Sequence, residues 1–287
     1  MICTEDGGWV RIKGTLLQRQ LARTLRRLRE DAGLSLEEAA PRLDWSTSKL
    51  SRIETAKQGV DVHGVRSMLD LYNVGGAQWT EIIDLTREAR KKNEWHAYGI
   101  SDHGYLRLEI DAAVVHEYQL AYVPGLLQTE DYMRTLFRNS RRRLTDAEID
   151  QDVQARLFRQ RRLTEEPALE LVTIVDESAL RRPVGGVEVL RAQLHHIMAR
   201  ATLPSVCFQV LPCSLGVHAG LNGSFIVLRF AELEEPEIAY IEHPAGALHL
   251  DKDAEVQACK LVFDQLRSEA LSPYDSAALI ERLAADL

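Results

Sequence analysis

Between residues 46 and 52 the chain reads Ser46-Thr47-Ser48-Lys49-Leu50-Ser51-Arg52. Short hydroxyl side chains beside a lysine and an arginine suit the recognition of phosphates and base edges. Hydroxyls near a helix start donate to phosphate oxygens, and the helix dipole adds a favourable field. The two-pronged fork of Arg52 is long enough to reach O6 and N7 of guanine. Lys49 suits a phosphate or a base edge equally. Glu54 fits a different task, tying its helix to the scaffold, because a carboxylate facing phosphate is repelled.

These side chains need a helix to carry them, and the flanking residues specify one. Leu17, Leu21, Leu25, Leu28 and Ala32 recur at helical spacing and form one apolar stripe, with Arg19, Arg23, Arg26, Arg27 and Arg29 on the other faces. Gly33 then suits a left-handed helix stop. Ser35 with Glu38 three residues later forms a capping box for a second helix, whose buried side is Leu36, Ala39, Ala40 and Leu43. Asp44 and Trp45 make a turn, and Ser46 caps a third helix with Leu50 and Ile53 inward. That leaves Thr47, Ser48, Lys49 and Arg52 outward. Residues 34–59 therefore read as a helix-turn-helix, a motif that lays its second helix in the DNA major groove. Val62, Val65, Met68, Leu69 and Tyr72 predict a further helix, as do Trp79, Ile82, Ile83 and Thr86, ending in the basic run Arg87–Lys92.

Charge separates the two ends of the chain. The net charge is −8 over 287 residues, which argues against DNA binding only if it is read globally. Residues 11–92 hold 16 basic and 11 acidic side chains, whereas 93–287 hold 19 and 30. The basic front suits phosphate, and the acidic back suits proteins or small ligands. Two domains are expected, 12–94 and 100–287, with the boundary near 95–100 in a stretch containing Asn93, Gly99, Ser101, Asp102 and Gly104. A hydrophobic content of 45% suffices for packed cores. No apolar run of about 18 residues suggests a membrane span. The start, with Glu5 and Asp6 ahead of any apolar run, does not read as a secretory signal. Cys3, Cys207, Cys213 and Cys259 form no CxxC pair, so a reducing, cytoplasmic setting is expected.

The C-terminal two thirds predict a mixed α+β domain with a sheet of four or five strands behind the all-α front. A helix is expected over Tyr105–Tyr118, with Leu108, Ala112 and Val115 on one side. Pro124-Gly125 marks a turn, Thr129 an N-cap, and Thr145 with Glu148 a capping box for a helix to about Leu163. Short β-rich runs at 169–175, 206–211, 224–230 and 238–242 predict strands. Val187, Leu190, Leu194 and Ile197 predict a helix between the first two. Asp253 opens another, and Ser272-Pro273 starts the last with a cap and an N1 proline.

Residues that suggest catalysis mostly have plainer explanations. His195 and His196 point apart on a helix. His218, His243 and His249 near strand ends have no ligand spacing with Cys213. Asp176-Glu177 are adjacent rather than set apart across a cleft, so a helix start explains them better. Gly185-Gly186 lacks the Lys and Ser/Thr of a phosphate loop, and Ser178 lacks a nucleophile elbow. Arg156, Arg159, Arg161 and Arg162 read as a solvated helix face. No catalytic, metal or cofactor site is expected, and an enzyme is the weakest reading.

Two resemblances sharpen these expectations. The segment from about 15 to 75, through Ser46-Thr-Ser-Lys-Leu-Ser-Arg-Ile-Glu54, resembles the lambda-repressor-like helix-turn-helix domain of the xenobiotic-response-element class. That resemblance implies a five-helix bundle whose third helix reads the major groove through Ser46, Thr47, Ser48, Lys49 and Arg52. Ser51 completes the expected DNA-binding set. Three positions depart from the pattern: Pro41 inside the second helix, Asp44 in the turn, and Ala56 after the third helix, the last two standing where glycine is usual. Glu117-Tyr-Gln-Leu-Ala-Tyr-Val-Pro-Gly-Leu-Leu-Gln-Thr-Glu-Asp-Tyr132, Val175-Asp-Glu-Ser-Ala-Leu-Arg-Arg-Pro-Val-Gly-Gly186, Gln209-Val-Leu-Pro212, Gly223-Ser-Phe225 and Ala270-Leu-Ser-Pro273 together resemble the C-terminal domain of actinobacterial WhiJ-like regulators. Members are typically encoded beside a small partner protein, in pairs some of which are toxin–antitoxin-like. The implied function is a regulator that binds double-stranded DNA as a homodimer and acts with that partner. The alternatives are an antitoxin-type interaction module whose DNA binding is autoregulatory, and a small-ligand sensor using the Gly-rich turns near Val217–Gly223.

Overall fold

The computed structural model describes residues 16–90, 105–140, 143–231, 236–244 and 246–287. They divide into two compact units. One holds the first five helices and the short helix Tyr105–Asp111, and the other holds the residues from Ala112 onward. The boundary expected near 95–100 lies outside the described residues.

The first unit contains α1 (Leu16–Asp31), α2 (Leu36–Arg42), α3 (Thr47–Glu54), α4 (Val62–Leu71) and α5 (Gly76–Ala89). The predicted apolar stripes meet in one core built on Leu25, Leu50, Ile53, Met68, Leu69 and Ile83. Ala32 departs from its expected place, because α1 ends at Asp31 and leaves Ala32 exposed. The Ser35–Glu38 capping box is present in both directions.

Four helices stop in the same way. Gly33, Asp44, Ala56 and Asn73 adopt positive φ at 69°, 56°, 53° and 59°. At each stop the N–H of the left-handed residue donates to the carbonyl three residues back. The next N–H donates five residues back: Leu34 to Arg29 (3.1 Å), Trp45 to Ala40 (3.0 Å), Lys57 to Arg52 (2.8 Å) and Val74 to Leu69 (2.9 Å). This paired bonding satisfies carbonyls that would otherwise be orphaned. Asp and Asn tolerate the left-handed region, whereas Ala56 carries the Cβ–carbonyl crowding in full. Pro41 does not break α2. It is exposed in the last turn of a seven-residue helix and its own carbonyl accepts from Asp44 (3.1 Å).

The second unit is a six-stranded mixed sheet, one strand more than the upper expectation. Its strands are β1 (Val114–Gln119), β2 (Glu170–Asp176), β3 (Val206–Leu211), β4 (Phe225–Arg229), β5 (Ile238–His243) and β6 (Gly246–Leu250), in the order β3-β2-β1-β4-β5-β6. The first three run parallel, and β4, β5 and β6 follow antiparallel. The helix expected over Tyr105–Tyr118 is corrected: α6 stops at Asp111, and 114–119 form the central strand β1. Its polar His116, Glu117 and Gln119 gave no apolar run, and Val115 continued the spacing of Leu108 and Ala112.

Helices α7 (Glu130–Arg138), α8 (Asp146–Gln160), α9 (Glu177–Arg181) and α10 (Val187–Arg200) lie in the crossovers between the parallel strands. They are followed after β6 by α11 (Asp253–Glu269) and α12 (Pro273–Ala285). Phe263 of α11 is buried in a cluster with Tyr118, Ile174 and Phe225, and its ring stacks on His116 at 4.9 Å. The start of α12 seals the β3 edge: Val210 N donates to Ser276 Oγ (2.9 Å) and Leu271 N to Val210 O (2.9 Å).

Three buried glutamines hold the Val123–Thr129 turn. Gln128 Nε2 donates to Val123 O (2.7 Å), Gln160 Nε2 to Gly125 O and Gln128 O (3.1 and 2.9 Å), and Gln193 Nε2 to Leu127 O (2.7 Å). Gln193 Oε1 also accepts from Thr129 N (2.8 Å). The arginines expected on a solvated face are partly braces instead. Arg159 is buried, Arg156 lies over Phe137 at 4.6 Å, and Arg162 donates to Pro167 O (2.8 Å) and Ala112 O (3.1 Å).

Ala56→Gly is expected to stabilise the first unit by about 0.5–1 kcal/mol, the left-handed strain relieved less the entropy glycine adds to the unfolded chain. Urea unfolding measures it, and a lower midpoint would refute the strain. Gln193→Leu strands two backbone groups and is expected to cost about 1–3 kcal/mol by the same measurement. Burial pushes the titration of His116, His196 and His249 below the ordinary 6.5, with Arg229 and Arg267 adding at His116 and Arg200 at His196. The unfolded chain then binds protons that the fold does not, so stability is full above 6.5 and drains as pH falls below it. The thermal midpoint is expected to drop between about pH 7.5 and about pH 5.5, and to drop less in His116→Phe.

Candidate nucleic-acid interface

The placement of α3 begins with its cap. Ser46 Oγ accepts from Lys49 N (3.2 Å), which starts the helix at Thr47. Trp45, one residue before the cap, packs on the core cluster that contains Leu50, the arrangement of a hydrophobic staple. Leu50 and Ile53 are buried, and Glu54 is buried with them.

Glu54 is held by Arg29 of α1. Arg29 Nε donates to Glu54 Oε1 (2.8 Å) and Nη2 to Oε2 (2.9 Å), a two-pronged pair. The third guanidinium nitrogen, Nη1, donates to Leu34 O (2.6 Å) in the α1–α2 turn. Both side chains are almost wholly buried, at 7% and 3% exposure. The bond to Glu54 raises the guanidinium's already high pKa further. Tyr72 lies in the same core, and burial first, then the charge of Glu54, pushes its hydroxyl well above the ordinary tyrosine range. The scaffold role expected for Glu54 is therefore met. Arg29 was expected on an outward face and is instead the buried partner.

With its back fixed, α3 presents a defined front. Ser48 and Arg52, four residues apart, are exposed on one ridge, and Thr47 and Ser51 are half-buried on the next. Arg52 has no ion pair among the described residues, so its fork is unspent. Ser46 is exposed at the helix start, its oxygen engaged as the cap but its proton free to donate. Lys49 departs from the ridge: its ammonium sits 4.0 Å from the centre of the Trp45 ring, at the flank of the helix. Trp45 gave no sign of this second role in the sequence, because its ordinary reading is a turn residue. Gly64 of α4 shows the tightness there. An added Cβ would meet the Trp45 ring at 3.2 Å and Val60 Cγ2 at 2.8 Å.

Asp176, Glu177, His218 and His249 of the second unit have structural contacts. Asp176 Oδ1 caps α9 by accepting from Ser178 N (2.9 Å), and its Oδ2 lies 3.4 Å from His218 Nε2. Glu177 accepts from Arg181 Nε (2.7 Å) and from Cys213 N (2.8 Å). His249 packs edge-on to Tyr240. Among the described residues no three His, Cys, Asp or Glu side chains gather as metal ligands. No described helix is long and apolar enough to cross a membrane.

Removing one member of the buried pair leaves the other charge without a partner. Glu54→Ala is expected to destabilise the first unit by about 3–5 kcal/mol in urea unfolding. A loss below about 1 kcal/mol, the range of surface pairs, would contradict its central place.

Residues 20–81 match the family model of a helix-turn-helix domain, and residues 103–282 match that of a domain of unknown function, DUF5753. No curated protein and no solved structure matches the chain. With a helix-turn-helix front and most of its length in the second match, the chain belongs to the DUF5753 family.

Proposed function

We propose that this protein is a sequence-specific transcriptional regulator that inserts α3 into the major groove of double-stranded DNA. The helix-turn-helix match supports DNA binding and regulation in general. The observation that carries the finer reading is Arg52, exposed and unpaired on the ridge it shares with Ser48, on a helix whose opposite side is clamped. In this reading Arg52 reads guanine, and Ser46, Thr47, Ser48 and Ser51 contact phosphate or base edges. Lys49 swings from Trp45 to a phosphate. Two copies place their recognition helices about 34 Å apart on a pseudo-palindrome. The action is binding rather than catalysis.

The second unit is proposed to bind a small neighbour-encoded protein, as the resemblance to WhiJ-like regulators implies, with an antitoxin-type pairing as one form of it. Its surface supports a partner. On the turns after β3, Val217 is 90% exposed, with Leu221 and Leu215 also exposed. Exposed apolar side chains grouped on one short stretch of chain favour burial by another surface.

Arg52→Ala is expected to cost about 1–3 kcal/mol of preference for the selected site while leaving the unfolding midpoint in place. Competition binding against non-specific DNA measures it, and an unchanged preference would refute the role of Arg52. For the partner, the small neighbour-encoded protein is expected to co-purify with the full chain and to be lost from Val217→Asp/Leu221→Asp. Retention by that double variant would move the interface elsewhere, and absence from the unaltered chain would remove the partner from the account.

A further inference from the structure

A cavity of about 310 Å³ opens at the carboxyl end of β1, where that strand meets the antiparallel pair β4–β5. On one side of β1 the sheet is parallel and on the other antiparallel. The carboxyl end of β1 therefore lies beside the start of β4, and the cavity opens between them. The volume is that of a small-molecule site.

The lining is chemically one-sided. Gln119, Ile226, Tyr240, Glu242 and His243 come from the strands, and Tyr122 from the turn after β1 is among the rest of the lining. Tyr122 is 49% exposed, a large aromatic ring held at the edge of a cavity. Among the described residues no lysine or arginine lines the space, His243 is its one basic side chain, and no ion pair neutralises Glu242. Gln119 Nε2 donates to the buried Glu117 (2.7 Å), which leaves the Gln119 carbonyl oxygen as an acceptor. Burial first, then the charge of Glu242, pushes the Tyr240 hydroxyl up to about 12, so that phenol stays neutral. The space thus offers the rings of Tyr122, Phe225 and Tyr240, the carboxylate of Glu242, an amide oxygen and the imidazole of His243.

We propose that this cavity binds an organic ammonium ion, with Tyr122 and Tyr240 supplying ring faces and Glu242 the counter-charge. Ring faces attract cations through their quadrupole, more strongly where water is displaced. An anion is repelled by Glu242, and an uncharged ligand gains no ion pair from it. The site belongs to the second unit alone, so it stands whether or not α3 reads DNA.

Calorimetric titration of the full chain in the absence of DNA tests it, with two cations and their uncharged counterparts. Benzylamine is compared with benzyl alcohol, and choline with its uncharged carbon isostere. Saturable binding of at least one cation in the millimolar range is expected, about tenfold or more tighter than its counterpart. Glu242→Gln and Tyr122→Ala, both at exposed positions, are each expected to weaken that binding about tenfold without moving the unliganded thermal midpoint. The proposal is overturned by no saturable binding of either cation up to about 10 mM, by equal binding of charged and uncharged members, or by undiminished affinity in Glu242→Gln.

Discussion

The buried pair between Arg29 and Glu54 is the interaction on which the front of this molecule depends. It joins the last turn of α1, the α1–α2 turn through Leu34 O, and the last turn of α3 in one node. Its net energy need not be large, since burying two charges offsets much of their attraction. Its effect is geometric. A two-pronged bond fixes direction as well as distance, and turning α3 about its axis would pull Glu54 from the fork. Leu50 and Ile53 are inward on the same side, so Ser48 and Arg52 have no orientation open to them but outward.

The turns act with that node. Four successive helices close on a left-handed residue whose neighbour's N–H reaches back five residues, and only one of the four is glycine. The chain therefore changes direction sharply four times, which brings helices of seven to sixteen residues over one core. Short helices are marginal alone, so this core carries them. The second unit solves a similar problem with side-chain amides: where Val123–Thr129 has no ladder partner, Gln128, Gln160 and Gln193 meet its backbone groups.

Much of this was legible from local chemistry. Ser35 with Glu38, Thr145 with Glu148 and Ser272 with Pro273 announced helix starts, and the structure has caps at all three. Ser46, Leu50 and Ile53 set the phase of α3, and the residues expected outward follow from it. Long-range pairing was not legible. Arg29 shares its face with arginines that read as solvated, and nothing near it in sequence names Glu54 as its partner. β1 is central and flanked on both sides, so neighbouring strands could stabilise a polar, unalternating segment that local pattern assigned to a helix. β6 was missed for a related reason: its hairpin partner β5 supplies the register, and its own run, Gly246–Leu250, carries little β signal. Lys49 was expected among the groove contacts, and its position over Trp45 depends on a cation–ring contact that spacing does not display.

The proposed reading of sequence by α3 is tested most directly by selection from a random DNA pool. The purified full-length protein should enrich one two-fold-symmetric sequence, with guanine in each half-site and half-site centres about one helical turn apart. Recovery of DNA with no sequence in common, at the level of non-specific binding, would contradict it.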